Sequence, residues 1–307
     1  MVKTISEQRR KDLDEAIELY LSAYQKKNFV NDDFVEYAGY YRITNEPFSK
    51  FLAKANFSDT TKTLSVLSSG DQVFEMVRRG INNIDTFDIN RMTEYFALGF
   101  KKRAIECLTY EQFLSLNKYD RIVTKHNNEN LEIEKYVIEN MEEEYKWFWQ
   151  ELIASLKGEG FNVSVFHFVI DYLYLTKFHY SRNPYMIDKE KYKELQQKLL
   201  KAKITFQQAD IKELPKKFQQ YDLIYLSNIL EYHEDIFEKS GFPPEEAIKL
   251  LKKIYNKMLN NNGEIILTDL MNWFYPEFCG EKLFKENHEL IIEGSDRGYI
   301  LKKKKGR

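Results

Sequence analysis

Apolar runs and amphipathic segments alternate in the stretch that follows residue 60. The run "TLSVL" (63–67) predicts a short strand, and "DQVFEMVRRGI" (71–81) has its apolar residues at helical spacing. Gly80 is well placed to end this helix, and "IDTF" (84–87) predicts a second strand. Strand, tight turn, helix and strand in this order are typical of a nucleotide-binding βαβ unit.

Helical patterns fill two longer stretches. Residues 5–57 are mainly helical in pattern, with "EAIELYLSAY" as the clearest part, and the stretch from 91 to about 203 carries several irregular helical segments. The second stretch is too long for one crossover between neighbouring strands. We therefore expect a helical insertion there, placed over the carboxyl edge of the sheet.

Strand patterns return towards the end of the chain. "ITFQQAD" (204–210) is followed by "YDLIYLSNIL" (221–230), which is apolar enough for a central strand buried on both faces. A helical pattern then leads to a buried strand in 260–270, and 288–304 predicts a hairpin. This alternation predicts an α/β, Rossmann-like fold whose mostly parallel sheet ends in an antiparallel hairpin. The predicted divisions are an N-terminal helical segment (1–60) and a Rossmann-like domain (61–307) with its insertion at about 91–203.

The composition is that of a globular protein, with 43% apolar and 31% charged residues and a formal charge of −2. This charge provides no electrostatic case for nucleic acid, so we expect no nucleic-acid partner. Cys107 and Cys279 lack CxxC spacing, and His126, His167 and His288 lack metal-ligand spacing, so we expect no metal. The chain has no apolar signal region and no apolar run long enough for a membrane span. A cytoplasmic location is the expectation.

Polar residues follow four of the predicted strands, where an open α/β sheet binds its ligands. In the turn Ser68–Asp71, glycine lets the backbone approach a ligand, the next helix offers free N–H groups, and Asp71 could accept a bond from a ligand's ammonium. Asp88 has the position from which an acid accepts two ribose hydroxyls. Asp210 could accept from an adenine amino group, and Ser227–Asn228 would face a reacting centre.

Each of these features also has a structural interpretation. A lone SxGD turn is more often structural than ligand-binding, Asp88 could be a helix N-cap, and Asp210 could be a loop acid or a cap. All four in the correct order favour a ligand site. The chain has neither GxxxxGK[ST] nor GxGxxG, which favours a nucleoside ligand without phosphates. S-adenosylmethionine, with its ribose, its adenine and its zwitterionic amino-acid tail, fits this description.

The segment "VLSSGDQVFEMVRRGINNIDTFDINRMTEYFALGFKKRAIECLTYEQFLSL" resembles the 3-amino-3-carboxypropyltransferase family of betaine-lipid synthesis, which is built on the methyltransferase fold. The resemblance covers roughly residues 60–270 and is most specific over 64–113. It implies S-adenosylmethionine binding and attack on the γ-carbon of its methionine moiety, with release of methylthioadenosine. The candidate cofactor-binding residues are Ser68, Ser69, Gly70, Asp71, Asp88, Ile89, Asn90, Asp210, Ile211, Ser227 and Asn228.

Candidates for catalysis are weaker. His179 or Tyr180 in "HYSRNPY" could help to deprotonate a hydroxyl acceptor, and His233 lies near the predicted reaction edge, although a packed turn and an exposed loop are the alternatives. The aromatic cluster "YKWFW" (145–149) is explained most simply by core packing. The basic tail "KKKKGR" could contact an anionic membrane surface, but a soluble tail is the simpler account.

The function predicted from the sequence is an S-adenosylmethionine-dependent transferase that acts on a small-molecule or lipid acceptor. Aminocarboxypropyl transfer is placed ahead of methyl transfer because of the family resemblance. A non-catalytic nucleoside-binding or interaction protein is a rival from another class, and an unrelated nucleoside-binding enzyme on the same sheet is a third.

Overall fold

The computed structural model describes residues 5–25, 43–44, 46–117, 128–158, 165, 182–218, 220–231, 244–269, 282–293 and 296–304. Within these ranges, seven strands form one sheet. The strands are β1 (Thr63–Val66), β2 (Asn83–Asp88), β3 (Lys203–Gln208), β4 (Tyr221–Ser227), β5 (Leu259–Asp269), β6 (His288–Glu293) and β7 (Asp296–Lys302).

The strand order in the sheet is β3-β2-β1-β4-β5-β7-β6. The first five strands of this order run parallel to one another, and β7 runs antiparallel to both β5 and β6. Because the chain winds outwards from β1 in one direction and from β4 in the other, the order reverses between these two strands. A crevice at such a reversal, outside the carboxyl ends of the strands, is where open α/β sheets bind ligands.

Of the helices in the described ranges, two precede the first strand, and the others lie in the connections between strands. A π-helix (Glu94–Lys101) continues directly into an α-helix and is the irregular part of the long β2–β3 connection. The α-helices are α1 (Glu7–Gln25), α2 (Phe48–Leu52), α3 (Asp71–Arg78), α4 (Lys102–Cys107), α5 (Tyr110–Asn117), α6 (Asn128–Glu139), α7 (Glu143–Gly158), α8 (Pro184–Ile187), α9 (Lys189–Leu199), α10 (Leu214–Lys217), α11 (Pro244–Met258) and α12 (Lys282–Lys285).

The central strands owe their position to their apolar sequences. All four residues of β1 are buried, and β4 is buried along almost its whole length, as expected for strands covered on both faces. Helix α3 lies between the sheet and α9, and its first seven residues are all buried. The polar residues among them therefore need partners from other parts of the chain.

The structure confirms the predicted fold class, including the mostly parallel sheet and the C-terminal hairpin. It differs in the detail of two elements. The first part of the predicted helix after residue 91 is a π-helix, and β5 begins at Leu259, earlier than the predicted strand. The aromatic cluster 145–149 packs as expected, because Phe148 and Trp149 are fully buried. The division into a segment 1–60 and a domain 61–307 stays a prediction.

Candidate functional site

The turn after β1 has a backbone that most side chains would not allow. Ser68 and Gly70 both have positive φ, at 45° and 81°. A Cβ atom on Gly70 would lie 3.0 Å from the Cβ of Ala97 in the π-helix and 3.0 Å from the ring of Phe74. Gln72 holds the turn from within, since its amide donates to the carbonyl of Val66 at 2.7 Å. The single glycine is therefore required by both conformation and space.

Asp71, the first residue of α3, is the centre of a buried polar cluster. One carboxylate oxygen accepts from the backbone N–H of Thr44 at 2.8 Å and from the Ser69 hydroxyl at 2.9 Å. The other oxygen accepts from the Lys101 ammonium at 2.5 Å and from the Tyr185 hydroxyl. All four donors belong to the chain. The predicted bond from Asp71 to a ligand's ammonium therefore has no geometric support here.

Two of the donors in this cluster, Lys101 and Tyr185, have titratable side chains. Asp71 and Lys101 form an ion pair in which both side chains are almost completely buried. Burial, together with the negative charge of Asp71, raises the pKa of Tyr185 well above its usual value, so its hydroxyl stays protonated and donates. Asp71 thus ties the turn to the segment before α2, to the end of the π-helix and to α8.

Asp88 ends β2 beside this turn. Its carboxylate accepts from the backbone N–H of Ser68 at 2.9 Å and from that of Asn90 at 3.0 Å. Burial raises the pKa of Asp88 to about 6, although the hydrogen bonds that the carboxylate accepts act to lower it. A carboxylate has about four acceptor positions. The N–H groups of Ser68 and Asn90 use two of them, and the backbone N–H of Ile89 and the Thr93 side chain also stabilise the ionised form.

The end of β3 lies next to Asp88. The backbone N–H of Ala209 donates to the Asp88 carbonyl at 2.9 Å. Asp210 accepts from the backbone N–H of Lys212 at 2.8 Å and so caps a short 3₁₀ turn that begins with the buried Ile211. The alternative interpretation of Asp210 as a cap is confirmed. Its second carboxylate oxygen is not needed for this cap.

The end of β4 completes the crevice and introduces a residue that the sequence did not point to. Ser227 has a positive φ of 58°, and Asn228 follows it. The Ser227 hydroxyl donates to one carboxylate oxygen of Glu46, and the Tyr225 hydroxyl donates to the other at 2.9 Å. Glu46 is 5% exposed, and burial raises the pKa of its carboxyl.

A cleft of about 210 Å³ opens where β2 and β3 end. Helix α1 forms its far wall, and the residues that follow Asp88 form its near wall. Ile89 lies in the lining of this cleft. Its lining includes Leu19, Tyr20, Ile89, Asn90, Met92 and Gln208.

The predicted cofactor-binding residues lie at the carboxyl ends of β1, β2, β3 and β4 or directly after them. His179, Tyr180 and His233 are outside the described residues. Two important partners of Asp71 were missed. Lys101 left one signal, a lysine at an apolar position of a helical pattern, whereas Tyr185 ends the segment "HYSRNPY" and had no role assigned to it.

Two searches were restricted to the described residues. Within them, no group of three or more histidine, cysteine, aspartate or glutamate side chains could hold a metal ion. No helix among them is long and apolar enough to cross a membrane.

The chain was compared with protein families, with curated proteins and with solved structures, and only solved structures are similar to it. No family model matches the chain, and no curated protein matches it. Similar solved structures include the rRNA methyltransferase AviRa from Streptomyces viridochromogenes, with 11% identity, a TM-score of 0.42, and coverage of 90% of this chain and 87% of that chain. TrmN from Thermus thermophilus has 11% identity, a TM-score of 0.36 and coverage of 85% and 50%. TehB from Haemophilus influenzae has 9% identity, a TM-score of 0.37 and coverage of 85% and 62%.

The strand order of the sheet by itself defines a Rossmann-like α/β fold with an antiparallel C-terminal hairpin. The aminocarboxypropyltransferase family receives no specific support from these comparisons. One expectation needs correction. The similar structures include an rRNA methyltransferase, so the exclusion of a nucleic-acid partner on the basis of net charge was wrong.

Proposed function

We propose that the chain is an S-adenosylmethionine-dependent transferase and that the transferred group is a methyl group. The observation that carries this proposal is the convergence of four polar strand ends at the crevice between β1 and β4, in a sheet of methyltransferase strand order. The site has no phosphate-binding loop, which suits a nucleoside donor.

Each part of the donor has a matching feature in the crevice. Asp88, at the end of β2 beside the turn, would accept from the ribose hydroxyls. Ile89 and Ile211 would pack against the adenine, and Asp210 would accept from the adenine amino group with its second oxygen. The backbone of Ser68–Gly70 and the end of β4 would line the amino-acid tail.

The chemistry asked of the protein is modest. The donor's sulfonium already carries the positive charge, so the leaving thioether needs no proton. The residues of the crevice therefore have to orient the donor so that the acceptor approaches in line with the carbon to be transferred. The rigid turn, with Gly70 packed against the π-helix and Asp71 held by four donors, supplies a fixed wall for this purpose.

Aminocarboxypropyl transfer is the second candidate. The observation that favours it is the motif resemblance over residues 64–113, which runs from β1 through the turn, Asp88 and the π-helix. Both reactions are displacements at a carbon attached to the sulfonium. They would use the same donor site and differ in which carbon the acceptor can reach.

Calorimetry and product analysis test the proposal together. The protein is titrated with S-adenosylmethionine and then incubated with it and with small-molecule, lipid and RNA acceptors. The nucleoside product is identified by mass spectrometry. S-adenosylhomocysteine together with a methylated acceptor supports methyl transfer, whereas methylthioadenosine together with an aminocarboxypropylated acceptor supports the second candidate. Absence of binding would overturn both.

A pair of variants tests the assignment of the donor site. Asp88→Ala removes the ribose acceptor, and we expect it to weaken binding about tenfold or more, the effect of losing hydrogen bonds to a charged group. Asp59→Ala is the matched control, because Asp59 is an exposed acid distant from the strand ends. Equal affinities in the two variants would show that the site is assigned wrongly.

A further inference from the structure

Two buried carboxylates lie close to the crevice between β1 and β4, and their charges are balanced differently. Asp71 is paired with the Lys101 ammonium at 2.5 Å. The carboxylate of Glu46 is held by the hydroxyls of Tyr225 and Ser227. Within the described part of the chain, no lysine, arginine or histidine pairs with Glu46.

This difference has an energetic consequence. A buried carboxylate is costly to ionise unless a cation or several good donors compensate for the lost hydration. The hydroxyls of Ser227 and Tyr225, together with the Asn228 backbone N–H and Thr268, are neutral donors that compensate in part. The remaining penalty explains why burial raises the pKa of Glu46. Glu46 is therefore a carboxylate for which the described chain supplies no cation, at the edge of the sheet where a ligand is expected.

Backbone hydrogen bonds hold the segment that contains Glu46. The backbone N–H of Thr44 donates to Asp71, and the backbone N–H of Glu46 donates to the Thr44 hydroxyl at 3.2 Å. These bonds place the segment around Glu46 between the turn after β1 and the end of β4. Ser227, which touches the carboxylate, has a left-handed backbone of the strained type that clusters at functional sites.

We propose that Glu46 binds the ammonium group of the donor's amino-acid tail. This inference rests on the proposed function and gives to Glu46 the contact that the sequence had suggested for Asp71. S-adenosylmethionine brings two cationic groups, the ammonium and the sulfonium. The ammonium is the stronger match, because it can donate hydrogen bonds to a carboxylate and the sulfonium cannot.

Three ligands distinguish the contributions of these two cationic groups to binding. S-adenosylmethionine has both groups, S-adenosylhomocysteine has the ammonium alone, and methylthioadenosine has neither. Their affinities are measured by calorimetry at about pH 7.5 for the natural protein and for Glu46→Gln. We expect the substitution to weaken the first two ligands about tenfold to a hundredfold and to leave methylthioadenosine unchanged.

Each other outcome overturns a defined statement. Unchanged affinity for all three ligands, or an equal loss for all three, would show that Glu46 does not bind the ammonium group. Loss of S-adenosylmethionine affinity alone would assign Glu46 to the sulfonium instead. If the natural protein binds none of the three, the proposed function fails, and with it this inference.

A second variant protects the test against misfolding. Glu46→Asp keeps the charge and shortens the side chain, so we expect it to retain more of the preference for S-adenosylhomocysteine over methylthioadenosine than Glu46→Gln does. Circular dichroism establishes that both variants are folded. If both variants lost the preference to the same extent, the charge of Glu46 would not be the cause.

Discussion

Asp88 links the pH of the solution to ligand binding. Burial raises the pKa of this carboxyl to about 6, and the ionised form is the one that accepts from Ser68, from Asn90 and, in the proposed site, from a ribose. The proton and the ligand therefore compete. The neutral ligand methylthioadenosine isolates this effect from that of Glu46, because it has no ammonium.

We expect the affinity for methylthioadenosine to be constant above about pH 7 and to fall below about pH 6, approaching tenfold per pH unit for one competing proton. Calorimetry between about pH 5 and pH 8 measures this dependence. Asp88→Asn is the control, since it cannot titrate and should show a weak but flat affinity. A flat profile in the natural protein would contradict the role of Asp88.

The same pKa has the opposite effect on the stability of the ligand-free protein. Asp88 has a higher pKa in the folded chain than the usual value near 4 of an unfolded one. Its contribution to the free energy of unfolding is therefore fully present below about pH 4 and is lost as the pH rises through about 6. The residue is favourable for ligand binding at neutral pH and unfavourable for the stability of the empty fold.

At the scale of single residues, the sequence located the acids but not their partners. Asp71 and Asp88 follow strand and turn patterns that are local, so both could be predicted. Glu46 lies in the short polar segment "TNEP", and its contact with Ser227 joins residues 181 positions apart. No local pattern contains such a contact, so the sequence could not bring Glu46 to the end of β4.

Among the elements, the turn between β1 and α3 depends most on one residue. Gly70 has φ 81° and is crowded by Ala97 and Phe74. Gly80, which follows the same helix, has φ 107°, and a Cβ atom at this position would have no neighbour within 4 Å. A substitution at Gly80 would therefore introduce backbone strain alone, whereas one at Gly70 would introduce both strain and steric crowding. Alanine in a left-handed conformation costs about 1–2 kcal/mol.

We expect Gly80→Ala to lower the free energy of unfolding by about 1–2 kcal/mol and Gly70→Ala to lower it by about 1–3 kcal/mol more, because the added methyl group must displace its neighbours. Urea denaturation measures both values. Gly70→Ala should also weaken nucleoside binding, and Gly80→Ala should not. Equal destabilisation of the two variants would mean that the turn and the π-helix can separate without penalty.

Elements differ in how far a pattern can specify them. The central strands could be predicted because burial on both faces demands a continuous apolar run, as in "YDLIYLS". The π-helix could not, since apolar spacing indicates a helix but does not distinguish its hydrogen-bond pattern. Its wider turns are part of the path that brings Ala97 against Gly70 and Lys101 onto Asp71.

For the molecule as a whole, the sheet followed from the sequence more completely than the crevice did. The order of strand and helix patterns, together with the rules for parallel connections, leaves few topologies. The crevice, in contrast, is closed by segments whose patterns say nothing about where they pack. Thr44, Lys101 and Tyr185 reach Asp71 from 27, 30 and 114 positions away.

The ion pair of Asp71 and Lys101 joins the turn after β1 to the π-helix, and we expect the stability of the crevice to depend on it. Lys101→Met keeps most of the side-chain volume but leaves the Asp71 carboxylate buried without a cation. Removing one partner of a buried pair is strongly destabilising, and we expect a loss of about 3–5 kcal/mol in the free energy of unfolding. Urea denaturation measures this loss. Binding of methylthioadenosine should weaken as well, because the turn loses its anchor.

The neighbouring residue provides the matched control. Lys102 pairs with Glu106 at 2.7 Å and has 21% of its side chain exposed, so Lys102→Met should cost less than about 1 kcal/mol. Adding Asp71→Asn to Lys101→Met removes the unpaired charge and should restore part of the stability. If Lys101→Met and Lys102→Met proved equally stable, Asp71 would not be the centre that holds the crevice together, and the rigid wall proposed for the donor would have to come from another contact.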